Sequence, residues 1–344
     1  MAKHLFNTES KESLKKKLEL EKFERTTLSL YRYVILNDPE SFRNELFDKF
    51  DTLGVLGRVY VAKEGINAQI SVPTHYFSEF KSLLESDPIL KGVPLKIAVE
   101  DNGKSFYKLI VRIKNKIVAD GLDDGMFDVT NIGKHLSAKE FNEAMEHPDT
   151  IVVDMRNHYE SEVGHFKGAV LPDTDTFRET LPVSIDALKD QKDKKILLYC
   201  TGGIRCEKAS AYFKHHGFKD VNQLLGGIID YHRQVKSEGL ESKFIGKNFV
   251  FDERMGERIT DDVISSCHLC GSSSDNHVNC ANEECHMLFI QCPTCAQKLN
   301  GCCSDKCKDF ASLPDDERKA LRKGKVKTDT LSVYRKSRLR HSGT

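Results

Sequence analysis

The sequence has no long apolar run and no excess of charge of either sign. No stretch approaches the roughly 18 apolar residues that a membrane-spanning helix needs, which argues against a membrane protein. The opening MAKHLFNTESKESLKKKLEL has no apolar core of a secretion signal, so we expect a cytoplasmic chain. Lysine plus arginine and aspartate plus glutamate both total 52, which excludes a uniformly basic nucleic-acid-binding protein but allows a local basic patch.

Sequence motifs for redox cofactors are also missing. The sequence contains no GxGxxG dinucleotide fingerprint, no recognisable 2-His-1-carboxylate iron pattern and no obvious flavin site. The cofactor is therefore unknown at this stage.

Cysteine is scarce outside one segment. Nine of the 11 cysteines lie between Cys267 and Cys307, and the other two are Cys200 and Cys206. An exported disulfide scaffold would be short and would carry a signal peptide, so these thiols are better suited to catalysis or metal binding. At 344 residues the chain is long enough for two or three domains.

Residues 1–125 combine a charged helix with an alternation of strands and helices. The order is β-α-β-β-α-β, which predicts a ferredoxin-like or acylphosphatase-like α+β domain. The predicted elements are a helix at 11–25, a strand at Leu28–Leu36, a helix at Pro39–Phe50, strands at Val59–Ala62 and Ala68–Val72, a helix at His75–Leu84 and a final strand at Tyr107–Ile113.

The rest of the chain divides into three further parts. Residues 126–144 form a linker and a first helix, which begins with a capping box at Ser137 and Glu140. From 145 to 239, short apolar strands alternate with helices, which predicts a parallel α/β domain. Residues 240–344 form a Cys-rich region with a basic tail.

The strongest chemical signal is the segment YCTGGIRC, Tyr199–Cys206. A cysteine at the end of a buried strand is followed by two glycines and then by the start of a helix. Backbone N–H groups, the helix N-terminus and Arg205 would all stabilise a thiolate at Cys200 and hold a sulfur species or an anion. The alternative is a buried structural cysteine beside an ordinary turn. The predicted anion loop is Thr201, Gly202, Gly203, Ile204 and Arg205.

This loop and its flanks resemble a rhodanese domain. The matching segments are Val153–Arg156, Glu160, Gly164–Ala169 and Leu225–Ile228, whereas Ser161 replaces the usual aromatic residue. The resemblance implies that Cys200 takes up sulfur as a persulfide. The four residues between Cys200 and Arg205 favour sulfur over phosphate, because phosphatase-like relatives use a longer loop.

The resemblance extends along the chain. KEGINAQISV (Lys63–Val72), CTGGIRCEKAS (Cys200–Ser210) and NFVFDERMGERI (Asn248–Ile259) ahead of a Cys-rich region are similar to the rhodanese-type tRNA uridine hydroxylases. That family implies oxygen-dependent formation of 5-hydroxyuridine at wobble position U34. It also implies a tRNA anticodon loop as partner, O2 as co-substrate, a reactive sulfur on Cys200 and a possible sulfur donor protein.

Several residues around the loop have more than one interpretation. Asp154 and Arg156 are expected to support the site as an internal ion pair rather than to react. His165 is expected to cap nearby backbone groups rather than to act as a general base. Cys206 is either a buried packing residue or a thiol that resolves a persulfide or sulfenic acid at Cys200.

The Cys-rich segment predicts a metal site. Cys267, Cys270, Cys292 and Cys295 form two CxxC knuckles of the kind that bind zinc. Two such sites need eight ligands, so the sequence leaves open which cysteines share an ion. Iron–sulfur ligation and disulfides are alternatives. The further candidate ligands are Cys280, Cys285, Cys302, Cys303, Cys307, His268, His277 and His286.

Three regions are candidates for RNA contact. Arg318–Arg340 has the composition of a basic arm, or of a solubilising tail. Lys63 and Asn67 lie in a loop that could face a flipped base, or that could be a plain hairpin. Phe249 and Phe251 could stack on a nucleotide, although core packing is the default expectation for both.

Two rival functions remain open from the sequence. The loop alone fits a sulfurtransferase that moves sulfane sulfur from thiosulfate or a persulfide. A zinc-dependent RNA-binding protein with an inert rhodanese scaffold is the other, and the intact Cys200 and Arg205 argue against it.

Overall fold

The computed structural model describes residues 9–122 and 127–322. Most of the Arg318–Arg340 tail therefore lies outside the described residues. The strands form sheets of five, four, three and two strands. None of the described helices has the length and apolar character required to cross a membrane.

The N-terminal part is a sheet covered by helices. Its first helix buries Leu14 and Leu18, so it is not wholly exposed. The elements are α1 (Lys11–Leu20), β1 (Arg25–Tyr33), α2 (Pro39–Thr52), β2 (Leu56–Ala62), β3 (Gly65–Pro73), a 3-10 turn (Thr74–Tyr76), α3 (Phe77–Ser86), β4 (Lys96–Ile97) and β5 (Leu109–Ile113).

The strand order β4-β1-β3-β2-β5 confirms the predicted ferredoxin-like pattern with one correction. The sequence assigns the last strand of the pattern to Tyr107–Ile113, but β4 occupies that place beside β1. β5 is an additional strand that pairs in parallel with β2. A two-residue strand is too short for an alternating pattern to reveal it.

The central part is a parallel sheet with helices on both faces. Its four strands have the order β6-β10-β9-β7, and all neighbours are parallel, as predicted. The elements are β6 (Lys134–Leu136), α4 (Ala138–Met145), β7 (Thr150–Asp154), α5 (His158–Ser161), β8 (Gly164–Phe166), α6 (Phe177–Ala187), β9 (Lys195–Tyr199), α7 (Ile204–His215), β10 (Asp220–Leu224) and α8 (Gly227–Glu238).

The segment 126–144 contributes to this sheet. Its residues 134–136 pair with β10, and the capping box of Ser137 and Glu140 at the start of α4 is confirmed. The expected boundaries at 125, 144 and 239 remain predictions. The two faces of the sheet bury separate apolar clusters, so the strands β7 and β9 are packed on both sides.

The C-terminal part extends the central one. β11 pairs with β8, which ties this part to the parallel domain, and β13 and β14 form a hairpin. The elements are β11 (Phe244–Asn248), β12 (Glu257–Arg258), β13 (His277–Asn279), β14 (Leu288–Ile290), α9 (Pro293–Leu299), α10 (Asp305–Ser312) and α11 (Asp315–Arg322).

Candidate active site

Cys200 follows the last residue of β9 and is fully buried at the start of the predicted loop. The loop turns at Gly203, whose φ of 96° is in the left-handed region, and α7 begins at the next residue. The backbone N–H of Gly203 donates a hydrogen bond to Cys200 Sγ over 3.1 Å. The loop therefore directs backbone N–H groups at the sulfur, as an anion cradle requires.

The N-terminus of α8 holds the other side of the loop. The N–H groups of Ile228 and Ile229 donate to the carbonyl oxygens of Cys200 and Thr201 over 3.0 and 3.2 Å. Gly227 makes this approach possible, because a Cβ at that position would lie 2.5 Å from the Cys200 carbonyl oxygen. With its carbonyls bound to α8, the loop keeps its N–H groups free to face the sulfur.

The two thiols of the loop have opposite electrostatic environments. Burial raises the pKa of Cys200, but a hydrogen bond from Cys206, the Arg205 charge and the N–H groups of residues 205 and 206 lower it to about 6. Burial raises the pKa of Cys206 well above its usual range. At neutral pH Cys200 is therefore a thiolate, and Cys206 is the neutral thiol that donates to it.

The side chain of Arg205 is held by the carboxylate of Glu160, which in the sequence stands out only as part of the rhodanese signature. Its Nη1 and Nη2 donate to Glu160 Oε1 and Oε2 over 2.6 and 2.8 Å. Glu160 is fully buried in α5, where it also accepts the N–H of Asn157 in a capping box. The Glu160 carboxylate thus largely compensates the Arg205 charge, and the two hydrogen bonds position the guanidinium beside the loop.

Asp154 and Arg156 lie beneath the loop and do not reach the cavity. Both are buried and form a direct ion pair with Nη2 and Oδ2 2.7 Å apart. Tyr199 donates its hydroxyl to Asp154, and Arg156 also donates to the Gly164 carbonyl. The group connects the ends of β7 and β9, and a supporting role for Asp154 and Arg156 in the reaction stays a prediction.

Cys200 lines a cavity of about 430 Å³ that is built from all three parts of the chain. The central part contributes the loop and Asn157. The C-terminal part contributes Val250, Phe251, Asp252 and Arg254. The N-terminal part contributes the face of its sheet that carries Tyr31, Asn67 and Gln69. Cys200 therefore faces a chamber that no single domain forms alone.

The N-terminal sheet also touches the loop directly. A Cβ on Gly203 would lie 2.9 Å from the Tyr31 hydroxyl, which itself donates to Glu207 in α7. Lys96 pairs with Asp230 in α8 over 3.2 Å. Neither contact can be predicted from the sequence, because no local pattern reveals which domain face covers a loop.

The structure separates the candidate RNA-contact residues. Phe249 is buried and packs edge-on against Tyr159, whereas Phe251 is 38% exposed, lines the cavity and lies beside the Arg205 guanidinium. Asn67 also lines the cavity, although it lies in β3 rather than in a loop. Lys63 is exposed in the turn between β2 and β3.

Comparison with known proteins agrees with this architecture. Three family models match: the UPF0176 acylphosphatase like domain at 25–117, the Rhodanese-like domain at 137–234 and Rhodanase C-terminal at 245–308. The tRNA uridine(34) hydroxylase of Leptospira interrogans is 57% identical over 336 residues, which are 98% of this chain and 91% of that protein. The proteins of that name from Pectobacterium carotovorum and Yersinia enterocolitica are each 54% identical over 335 residues, 97% of this chain and 94% and 95% of theirs.

The chain belongs to the tRNA uridine(34) hydroxylase family. The resemblance seen in the sequence and the predicted fold class are confirmed. In this member of the family, the four predicted metal ligands Cys267, Cys270, Cys292 and Cys295 come together, with all sulfurs within 4.8 Å of one another.

Cys280, Cys285, Cys303 and Cys307 form a second group, whose sulfurs also all lie within 4.8 Å of one another. The three histidines that the sequence offered as substitutes belong to neither group. His268 bonds to Glu162, and His286 is exposed. His277 is buried and packs edge-on against Phe249.

Proposed function

We propose that this protein hydroxylates uridine 34 of tRNA, and that Cys200 carries the reactive sulfur. The observation that carries the proposal is a thiolate buried in a chamber shared by three parts of the chain. A small sulfur acceptor would need only the loop. A chamber that requires two further domains suits a base extruded from a large RNA, and the relatives named above act on such a substrate by name.

The base would enter from an anticodon loop, where single-stranded bases unstack at low energetic cost. Asn67 and Gln69, linked through a hydrogen bond from the Gln69 amide, present amide groups to the chamber. These groups match the alternating donors and acceptors on the edge of uracil. Phe251, partly exposed at the chamber, offers a ring for stacking.

The sulfur reaches Cys200 from a donor protein that carries a persulfide. The Cys200 thiolate attacks the outer sulfur of the donor R–S–SH, the donor S–S bond breaks, and R–S⁻ leaves as Cys200–S–SH forms. No net oxidation occurs, and the leaving thiolate takes a proton from water. The N–H of Gly203, which meets Cys200 Sγ in the structure, would then donate to the sulfur anion.

Hydroxylation consumes one O2. One oxygen atom enters the C5–H bond of uracil, and the other leaves as water with two electrons and two protons. A thiol-class reductant supplies these as two thiols become a disulfide. We place the reaction in the cytoplasm, where tRNA and reduced thiols coexist. All eleven cysteines lie within the described residues, and none is in a disulfide.

The test is nucleoside mass spectrometry of tRNA from cells whose sole copy is wild type or Cys200→Ala. We expect the one-oxygen addition on uridine to disappear with Cys200→Ala, and growth under ¹⁸O2 to label it in the wild type. Cys302→Ala is the matched control, because Cys302 is equally buried but lies outside the chamber and both cysteine groups.

Two other outcomes would contradict the proposal. If oxygenated uridine persists while a sulfur-bearing nucleoside is lost, the protein is a sulfurtransferase. If neither nucleoside changes, Cys200 is not reactive on tRNA and the rhodanese part is a binding scaffold.

A further inference from the structure

Eight of the nine C-terminal cysteines fall into two compact groups. The first, Cys267, Cys270, Cys292 and Cys295, and the second, Cys280, Cys285, Cys303 and Cys307, each keep all sulfurs within 4.8 Å. Measured sulfur–sulfur distances are 3.6 Å for Cys270–Cys292, 3.7 Å for Cys285–Cys303 and 3.6 Å for Cys303–Cys307.

These distances match the edges of a metal-centred tetrahedron. Zinc–sulfur bonds of about 2.3 Å place the sulfurs of an ideal tetrahedron about 3.8 Å apart. A disulfide would need about 2.0 Å and would join only two sulfurs. Both groups have the geometry of a closed four-thiolate site, which has no open position for a substrate.

The ligand pairs of the two groups alternate along the chain. Two ligands of the first group are followed by two of the second, then again by two of each. The two ligand pairs of each group therefore lie on either side, in sequence, of a ligand pair of the other group. Each ion would thus hold together two chain segments that are separated by that pair. Two apolar clusters of this segment contain many of the cysteines themselves, so a bound ion would add to the packing that holds the segment together.

We propose that the segment Cys267–Cys307 binds two zinc ions, each through one of these four-thiolate groups, and that both ions are structural. The second group goes beyond what the sequence predicts, because the sequence leaves open which cysteines share an ion. Cys302 is excluded, since it is buried beside Cys303 but belongs to neither group. Among the described residues, no histidine belongs to either group.

The first group of cysteines is also connected to the active site through side-chain contacts. His268 lies inside its first knuckle, and the His268 Nε2 is 2.7 Å from Glu162 Oε1. Glu162 directly follows α5, the helix that carries the Arg205 partner Glu160. The second ion instead fastens α10, which contains Cys307. Loss of the first ion should therefore disturb the chamber, and loss of the second should not.

The test is metal analysis of the full chain purified under reducing conditions. Elemental analysis and native mass spectrometry should give two zinc ions per wild-type chain. Cys280→Ser and Cys307→Ser should each retain one ion. Cys302→Ala, which changes a neighbouring buried thiol, should retain two.

Two measurements on the wild-type chain cover the case in which a variant does not fold. Titration with a mercurial reagent should release two zinc ions, and a pyridylazo dye measures the released zinc. The cobalt(II)-substituted protein should show the strong visible bands of tetrahedral thiolate coordination. Wild type with no zinc or with iron, or loss of an ion from Cys302→Ala, would overturn the proposal. Because the readout is metal content, it is independent of whether the protein hydroxylates tRNA.

Discussion

At the scale of single residues, Cys200 and Cys206 differ in role although they share one loop. At Cys200, burial is outweighed by the Cys206 hydrogen bond, the Arg205 charge and the N–H groups of residues 205 and 206, whereas at Cys206 burial outweighs the Arg205 charge. One thiol therefore ionises near pH 6 and the other stays protonated. The neutral Cys206 donates a hydrogen bond to the Cys200 thiolate, and a resolving role for Cys206 stays a prediction.

The first residue-scale prediction concerns pH. The pKa of Cys200 is lowered to about 6, so its alkylation rate should be flat above pH 7 and fall through about pH 6 as the thiolate gains a proton. Cys206→Ala removes a hydrogen bond that stabilises the thiolate, and the midpoint should move upward. The measurement is peptide-resolved mass spectrometry after short exposure to iodoacetamide.

The internal control is Cys206 in the wild-type chain, which should remain unmodified across this pH range because its pKa is raised. A Cys200 midpoint near that of a free thiol, or one unchanged in Cys206→Ala, would contradict the electrostatic account.

At the scale of elements, the cradle depends on the start of α8 as much as on the loop before α7. Helix α8 has glycines in left-handed conformations at both ends, Gly227 at its first position and Gly239 at its C-cap, with φ of 68° and 66°. Only Gly227 meets the loop. A Cβ there would lie 2.5 Å from the Cys200 carbonyl oxygen, whereas one on Gly239 would have nothing within 4 Å.

Comparing alanine variants of these two glycines separates the cost of the left-handed backbone from the effect of contact with the loop. Both Gly227→Ala and Gly239→Ala should lose about 1–2 kcal/mol of stability from the left-handed conformation. Gly227→Ala should in addition displace the loop and lower tRNA hydroxylation by about 100-fold, the scale of an ångström misplacement. Initial rates and urea midpoints measure the two effects, and equal activity of the two variants would contradict the role assigned to α8.

At the scale of the whole molecule, buried polar contacts set the N-terminal sheet against the central domain. Lys208 in α7 has a side chain only 3% exposed, and its Nζ lies 2.8 Å from Glu64 Oε2 in the turn between β2 and β3. Asp120 lies 3.7 Å away on the same ammonium group. A buried charge of this kind is costly without its partners, so the pair fixes the relative position of the two domains that form the chamber.

Glu64→Gln tests this interface. Neutralising one partner of the buried ammonium should lower the free energy of unfolding by about 1–3 kcal/mol, since Asp120 and the new amide compensate only in part. The control is Asp220→Asn, which breaks the exposed pair with Lys195 inside the central domain and should cost less than about 1 kcal/mol. Urea unfolding measures both, and equal effects would argue against a special role for the interface.

The features that depend on local order along the chain follow from the sequence alone. The strand, cysteine, glycines and helix of Tyr199–Cys206 are adjacent in the chain, and local geometry is enough to predict a cradle from them. The parallel sheet, the capping box of Ser137 and Glu140 and the two zinc-like knuckles are equally local patterns.

The features that depend on contacts between distant residues are defined by the folded chain. Three features join residues that are far apart in the chain. They are the hydrogen bonds between Glu160 and Arg205, the contact of Tyr31 with the loop, and the grouping of Cys280, Cys285, Cys303 and Cys307. Strand β4 is equally non-local, since pairing with β1 defines its two residues. Periodicity and spacing carry no information on such pairs, because packing of the whole chain selects them.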